Sequence, residues 1–265
     1  MKIGIVGLGI VGSANKVGFE EVGHDVVVHD LKLNTKIDDI LQAEIVFLCV
    51  PTPPTKDGRC DTSIVESVIQ ELNESTYNGI IAIRSTVIPG FTAQMQEKFK
   101  NEKICFVPEF VRERCAEFDF VLEHRLLAIG SSIDSICETI VKAHGNLPRN
   151  VTKMSATEAE LLKYYLNTFA ATRVTFANVF YELCKKLGAG YKTIKDSYVK
   201  TGRLGDMYLD VNEELRGYSG VCLPKDTKAL SKLIEDLGLE LDFFKTVDSD
   251  NAKFQPTVFD GMRKK

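Results

Sequence analysis

The chain has 265 residues, 44% of them apolar and 26% charged, a balance that suits one large or two ordinary globular domains and excludes a disordered or fibrous chain. Its 33 Lys and Arg against 37 Asp and Glu leave a net charge of -4. The basic footprint of a nucleic-acid binder is missing, so small-molecule partners are expected. The seven cysteines, at 49, 60, 105, 115, 137, 184 and 222, are odd in number and never spaced Cys-x-x-Cys. That argues against a disulfide framework or a zinc cage and for a reduced, cytoplasmic setting without metal. No apolar run reaches 18 residues, and Met1-Lys2 leads straight into a strand-like run rather than a signal peptide. No membrane span or membrane partner is expected.

Strand-like apolar runs recur at residues 2–6, 25–29, 44–50, 79–84, 104–107 and 126–130, with helical stretches between most of them. This alternation predicts an α/β fold, a Rossmann-type doubly wound parallel sheet, over a first domain of residues 1–150. Within it, 61–74 and 132–143 repeat near 3.6, the former with Ile64, Val65, Val68, Ile69 and Leu72 on one face. Residues 155–187 then read as a single helix of about 33 residues, roughly 50 Å long. Ser155 and Glu158 give it a capping box, and Lys185, Lys186 and Gly188 a cationic last turn and a stop. Its apolar stripe, Leu162, Leu166, Phe169, Phe176, Phe180, Leu183 and Leu187, alternates by fours and threes except where Arg173 falls in register. Such a stripe predicts a homodimer, so residues 151–265 read as an all-α dimerisation domain. Its further helices are expected near 191–200, 226–237 and 242–254, around an irregular stretch 202–223.

Gly7-Leu8-Gly9-Ile10-Val11-Gly12 follows a strand and opens a helix, the context in which a glycine fingerprint supplies a tight turn, close pyrophosphate approach and close helix packing. Asp30, 18 residues beyond Gly12, can accept hydrogen bonds from the adenosine ribose hydroxyls. Its charge would repel a 2′-phosphate, so NAD is expected rather than NADP. Val50-Pro51-Thr52-Pro53 and Arg84-Ser85-Thr86-Val87 end the third and fourth strands, where open parallel sheets bind ligands. Thr52 and Thr86 are thus candidates for touching cofactor or reacting centre, and turn chemistry accounts for either equally well. Glu109, after the fifth strand, reads as a site carboxylate or as a solvated loop acid. Lys163 and Asn167 lie four apart on the long helix and project from one side, where they could hold a developing oxyanion; a plain surface pair is the commoner reading of such residues. Gly220-Val221-Cys222-Leu223-Pro224-Lys225-Asp226 sets a lone thiol, a cation and a carboxylate in a turn ahead of a helix. Lys225 and the helix N-terminus both favour a thiolate there. Cys49, Cys105, Cys137 and Cys184 read as buried small hydrophobes, and Cys60 and Cys115, in polar loops, stay open.

Six blocks in order, residues 7–12, 50–53, 85–89, 108–113, 160–173 and 203–226, together resemble the UDP-glucose and GDP-mannose dehydrogenase family, which makes sugar-nucleotide uronic acids. The resemblance runs to about residue 254. It implies Cys222 as nucleophile, Lys163 and Asn167 as the oxyanion-stabilising pair, and Asp226 with Thr86 as positioners of water. Glu109 resembles the general base, or a contact of nicotinamide and water. The implied cofactor contacts are Gly7, Gly9, Ile10, Val11, Gly12, Asp30, Val50, Pro51, Thr52, Thr86 and Lys225. The implied substrate contacts are Glu109, Phe110, Arg112, Lys163, Asn167, Arg203, Tyr218 and Gly220, with Arg203 at the dimer interface. Three features depart from the pattern: Arg114 and Ser219 stand where the family has Gly, and the loop before Cys222 is about three residues longer. The family also continues with a second α/β domain that grips the nucleotide, on the order of 100–150 residues, whereas this sequence stops at Lys265.

What the resemblance implies is an NAD-dependent four-electron oxidation of the C6 alcohol of a nucleotide sugar, UDP-glucose first, through a cysteine thioester. Two rivals stand beside it. A two-electron 3-hydroxyacid dehydrogenase would not need Cys222, and a degenerate NAD-binding module would turn over nothing. Without the nucleotide-gripping domain, the expectation is a homodimer that binds NAD normally and UDP-glucose weakly, with little turnover unless a separate polypeptide supplies that domain.

Overall fold

The computed structural model describes residues 1–203 and 205–257. Leu204, in the expected irregular stretch, and residues 258–265, at the end of the expected helical domain, lie outside the described residues. By contact the chain divides into two compact units, Met1–Thr55 with Cys60–Lys163, and Lys56–Arg59 with the chain from Tyr164 onward.

The first unit alternates strand and helix: β1 (Lys2–Val6), α1 (Ile10–Glu21), β2 (Asp25–His29), β3 (Ile45–Leu48), α2 (Ser63–Glu74), β4 (Ile80–Ile83), α3 (Phe91–Phe99), β5 (Ile104–Phe106), α4 (Ala116–Val121), β6 (Leu127–Gly130), α5 (Asp134–His144), β7 (Val151–Met154) and the start of α6 (Ala156–Leu187). The seven strands form one sheet ordered β2-β1-β3-β4-β5-β6-β7. Its apolar strands are buried on both faces, and alternate residues feed two cores. Val46, Leu48, Ile81, Ile83 and Phe106 face one, and Ile45, Phe47, Ala82, Cys105 and Ile129 the other.

This is the expected Rossmann-type architecture, with three differences. β5 and β6 pair antiparallel, through Phe106 and Gly130. The helix between them, α4, has only six residues, about 9 Å, too short to carry the chain back along the sheet for a parallel return. A seventh strand, β7, completes the edge beside β6; its side chains are mostly exposed, so no apolar run announced it. Ile64, expected on the inner face of α2, is 39% exposed, whereas Val65, Ile69 and Leu72 are fully buried.

The second unit is helical, built from α6 from Tyr164 onward, α7 (Tyr191–Val199), α8 (Leu223–Asp236) and α9 (Phe243–Asn251). α8 begins three residues earlier than its apolar pattern suggests, because Pro224 in its first turn is pre-set for helix. α6 is marked at both ends. The Ser155 backbone N–H donates to Glu158 Oε2 at 2.8 Å and the Glu158 N–H to Ser155 Oγ at 3.3 Å. At the other end Gly188 takes φ +69, and the Ala189 N–H reaches back to the Cys184 carbonyl at 2.8 Å.

Candidate active site

In the first unit the loop from β1 to α1 is shaped by two glycines. Gly7 has φ +89, and a Cβ there would meet the Cys49 carbonyl oxygen at 2.9 Å; at Gly12 it would stand 2.0 Å from the Gly7 oxygen. Any side chain at either position would run into backbone, so the two glycines are what lets the loop turn tightly against β3 and α1 pack close upon β1. α1 starts at Gly9 with no side-chain cap and no acidic residue in its first turn, so the N–H groups of Ile10, Val11 and Gly12 present a helix N-terminus suited to phosphate. Asp30, at the end of β2, accepts from the Leu8 N–H at 2.6 Å and the Lys32 N–H at 2.8 Å. These backbone bonds, Leu8's foremost, hold its carboxyl below the usual carboxylate range. The residues fit a dinucleotide: Asp30 is charged, bound to the glycine loop and half-buried.

At the ends of β3 and β4 the chain tightens into two linked turns. Ser85 Oγ donates to the Val50 carbonyl at 2.6 Å and the Leu48 carbonyl at 3.2 Å. Val50 and Thr52 are buried, Pro51 exposed and Thr86 half-buried. Cys60 proves to be buried, its thiol 3.4 Å from the Thr86 carbonyl. Cys49, expected to be buried, is only partly so. Farther along, Glu109 follows β5 and meets Lys163 of α6, whose ammonium donates to the Glu109 carbonyl at 2.7 Å and to Oε1 at 2.9 Å. The pair is nearly closed to solvent, with side-chain exposures of 6% and 11%. The other carboxylate oxygen accepts from the Val111 N–H at 2.8 Å, and the Phe110 ring lies 5.8 Å from the ammonium. Arg112, by contrast, spends its guanidinium on Asp119.

The second unit carries the thiol. Cys222 is exposed and occupies the N-cap of α8. One turn on, Asp226 is 1% exposed; its Oδ2 accepts from Asn167 Nδ2 at 2.6 Å and its Oδ1 from Lys225 Nζ at 2.6 Å. Lys163 and Asn167, expected as one pair, therefore engage different carboxylates, Glu109 and Asp226. Gly220 is buried, with φ +80. Tyr218 is 6% exposed, packs with Ala171 and Val247, and directs its hydroxyl at Asp248 at 3.3 Å. Arg203 stands exposed in the stretch after α7.

Two buried polar groups beside these turns have no counterpart among the expected site residues. Glu160, fully buried on α6, accepts from the N–H groups of Gly90 and Thr92 and from Thr92 Oγ1, at 2.6, 2.8 and 2.6 Å, and so fixes the start of α3. Its signal was a glutamate one helical turn before Lys163. Arg84 is 2% exposed, lies 5.0 Å over Phe47 and 5.3 Å over Phe120, and donates to His144 Nε2. His144 Nδ1 faces the Ile140 carbonyl at 2.7 Å and must carry the proton there, so Nε2 is the acceptor. Among the described residues no group of three or more His, Cys, Asp or Glu could hold a metal ion, and no helix is long and apolar enough to cross a membrane.

The NAD binding domain of the UDP-glucose/GDP-mannose dehydrogenase family matches residues 28–144, and the central domain of the same family matches residues 157–253. The chain belongs to this family. Its cofactor is NAD. Haloferax volcanii UDP-glucose 6-dehydrogenase AglM is 28% identical over 91% of this chain and 67% of its own. A UDP-glucose 6-dehydrogenase of Streptococcus pneumoniae is 31% identical over 82% of this chain and 58% of its own. The solved UDP-glucose dehydrogenase of the hyperthermophilic archaeon Pyrobaculum islandicum superposes with a TM-score of 0.88 at 26% identity, covering 95% of this chain and 68% of that one. An uncharacterized Methanocaldococcus jannaschii protein matches over only 34% of its length, so the chain spans between about a third and two thirds of such curated relatives.

Proposed function

We propose that the chain is an NAD-dependent nucleotide-sugar 6-dehydrogenase that converts the C6 alcohol of a UDP-hexose, UDP-glucose first, into the carboxylate through a thioester on Cys222. The observation that carries this reading is the start of α8, where an exposed thiol stands one turn ahead of a buried carboxylate held by Asn167 and Lys225. Two-electron chemistry has no need of such a thiol. NAD supplies the hydride acceptor, two equivalents per sugar.

In this reading residues 1–150 are the cofactor domain, with Gly7, Gly9, Ile10, Val11, Gly12 and Asp30 seating the dinucleotide and Val50, Pro51, Thr52, Thr86 and Lys225 bordering it. Residues 151–265, helical once β7 has joined the cofactor sheet, are the dimerisation domain. Cys222 Sγ adds to the C6 aldehyde, and the developing oxyanion is met by the Lys163 ammonium and the Asn167 amide. After the second oxidation the thioester carbon is attacked by water. Asp226 and Thr86 orient that water, Glu109 accepts its proton, and Cys222 leaves as thiolate. Phe110, Arg112, Arg203, Tyr218 and Gly220 are assigned to the nucleotide sugar, with Arg203 acting across the dimer.

Counting NADH formed per UDP-glucose consumed tests the reading, and two are expected. Cys222→Ala should form no uronate, and Cys222→Ser should accumulate an ester adduct visible by mass spectrometry. Two-NADH turnover in the alanine variant would falsify the thioester route.

A further inference from the structure

Residues 216–221 lead directly to Cys222, and residues 251–257 grip them at successive positions. The Arg216 N–H donates to Thr257 Oγ1 at 2.6 Å. The Gly217 N–H donates to the Gln255 carbonyl at 3.0 Å, and its own carbonyl accepts from the Thr257 N–H at 2.9 Å. Asn251 closes on both edges of Tyr218, accepting from its N–H at 2.8 Å and donating to its carbonyl at 3.1 Å. Ser219 Oγ then donates to the Thr257 carbonyl. A Cβ at Gly217 would meet Asn251 Oδ1 at 2.9 Å and the Asn251 backbone oxygen at 3.2 Å, so the two segments leave no room for a side chain there. The Arg216 guanidinium is held between the rings of Tyr181 and Phe254, 4.9 and 5.4 Å away.

We infer that residues 255–257 are a clasp that sets the orientation of the Cys222 thiol, and that Ser219 is the positioning residue joining clasp to loop. The inference rests on the proposed nucleophilic role of Cys222. Two backbone bonds make a weak ladder, so the side-chain ties of Asn251, Ser219 and Thr257 form a large share of the grip. Ser219 is the last tied residue before Gly220 and Val221 carry the chain into the N-cap of α8, and a glycine at 219 would have no hydroxyl to offer. Loosening the loop gains no access for a thiol that is already exposed. It does free the N-cap residue of α8 to turn, which carries the sulfur away from the positive end of the helix, where an anionic, reactive thiol is favoured.

The test uses the full chain and follows iodoacetamide alkylation of Cys222 by peptide mass spectrometry at neutral pH. Ser219→Ala should slow alkylation at Cys222 roughly two- to five-fold, the size of one charge interaction at a helix terminus, with buried Cys105 and Cys137 still unmodified. Ser219→Thr keeps the hydroxyl and should restore the rate. Thr257→Val, which removes the acceptor for the Arg216 N–H, should slow it similarly, and the two losses should combine to less than their product. An unchanged rate in Ser219→Ala, no rescue by threonine, or reaction of Cys105 and Cys137 alongside Cys222 would each overturn the clasp. Alkylation reads the thiol directly. If Cys222→Ala kept two-NADH turnover, the proposed function would fail while the clasp result still stood.

Discussion

Asp30 braces the glycine loop, accepting from the Leu8 N–H through one carboxylate oxygen and from the Lys32 N–H through the other. Asp30→Ala should weaken NAD binding and narrow the preference over NADP, because the carboxylate that would repel a 2′-phosphate is gone. Titration calorimetry with both cofactors checks this, and equal affinities in the unsubstituted chain would remove the assignment. The Arg84 cluster sets a pH limit instead. Burial, then the charge of Arg84, depresses His144 well below its ordinary value, and the same two causes bring His124 down to about 4. Both imidazoles are neutral in the fold, whereas in the unfolded chain they protonate near about 6.5. The unfolded state therefore binds more protons below that pH, and stability should fall as pH drops from about 6.5 toward 4, with a slope of up to two protons. Unfolding midpoints measured across that window check the sign. Asp30 was legible because strand, turn and acid are close in sequence. Arg84 meets His144 across 60 residues, and only the fold shows that a cation ending an apolar strand is taken up by aromatic rings and an imidazole.

At the scale of elements, α6 shows what local chemistry can and cannot announce. Its capping box and glycine stop were written in Ser155, Glu158 and Gly188, and both form as the spacing requires. The residues that join α6 to the sheet were hidden, since Glu160 acts on the N–H groups of α3, 68 to 70 residues away. A fully buried carboxylate that receives three hydrogen bonds is costly to disturb. Glu160→Gln keeps the shape but turns an amide N–H₂ toward donors, which should destabilise the chain by about 1–3 kcal/mol. Denaturant unfolding measures the loss, and a change within error would show that Gly90 and Thr92 find other acceptors. β7 was illegible for the opposite reason. An exposed edge strand gains its hydrogen bonds from one neighbour and needs no apolar pattern to do so. The residues around Cys222 could be read as a set, because the seven from Gly220 to Asp226 are consecutive, yet nothing in their order shows that Asn167 turns to Asp226 and Lys163 to Glu109.

For the whole molecule the decisive feature is the uncovered face of α6. Leu166, Phe169, Phe176, Phe180, Leu183 and Leu187 are each between 38% and 79% exposed, and Tyr165 adds 67%. Scattered apolar residues on a surface need no explanation, but a stripe along one helix broken only at Arg173 does. Phe176 and Phe180 already pack ring against ring at 4.7 Å, tilted by 36°, and the helix offers roughly 48 Å of length for a second copy to lie against. A two-fold partner presents the same stripe, so one surface serves both chains, and side chains repeating by fours and threes can interlock at a shallow crossing angle. Light scattering should therefore give twice the chain mass at micromolar concentration. A contact held by apolar burial should stay intact when the salt is raised from ~0.1 to ~0.5 M, whereas one built on exposed ion pairs would weaken over that range. Phe176→Lys with Leu183→Lys places cations opposite cations across the two-fold and should yield monomer that still binds NAD through the first unit. A monomeric unsubstituted chain, or a dimer that survives both lysines, would show that this stripe is not where the copies meet.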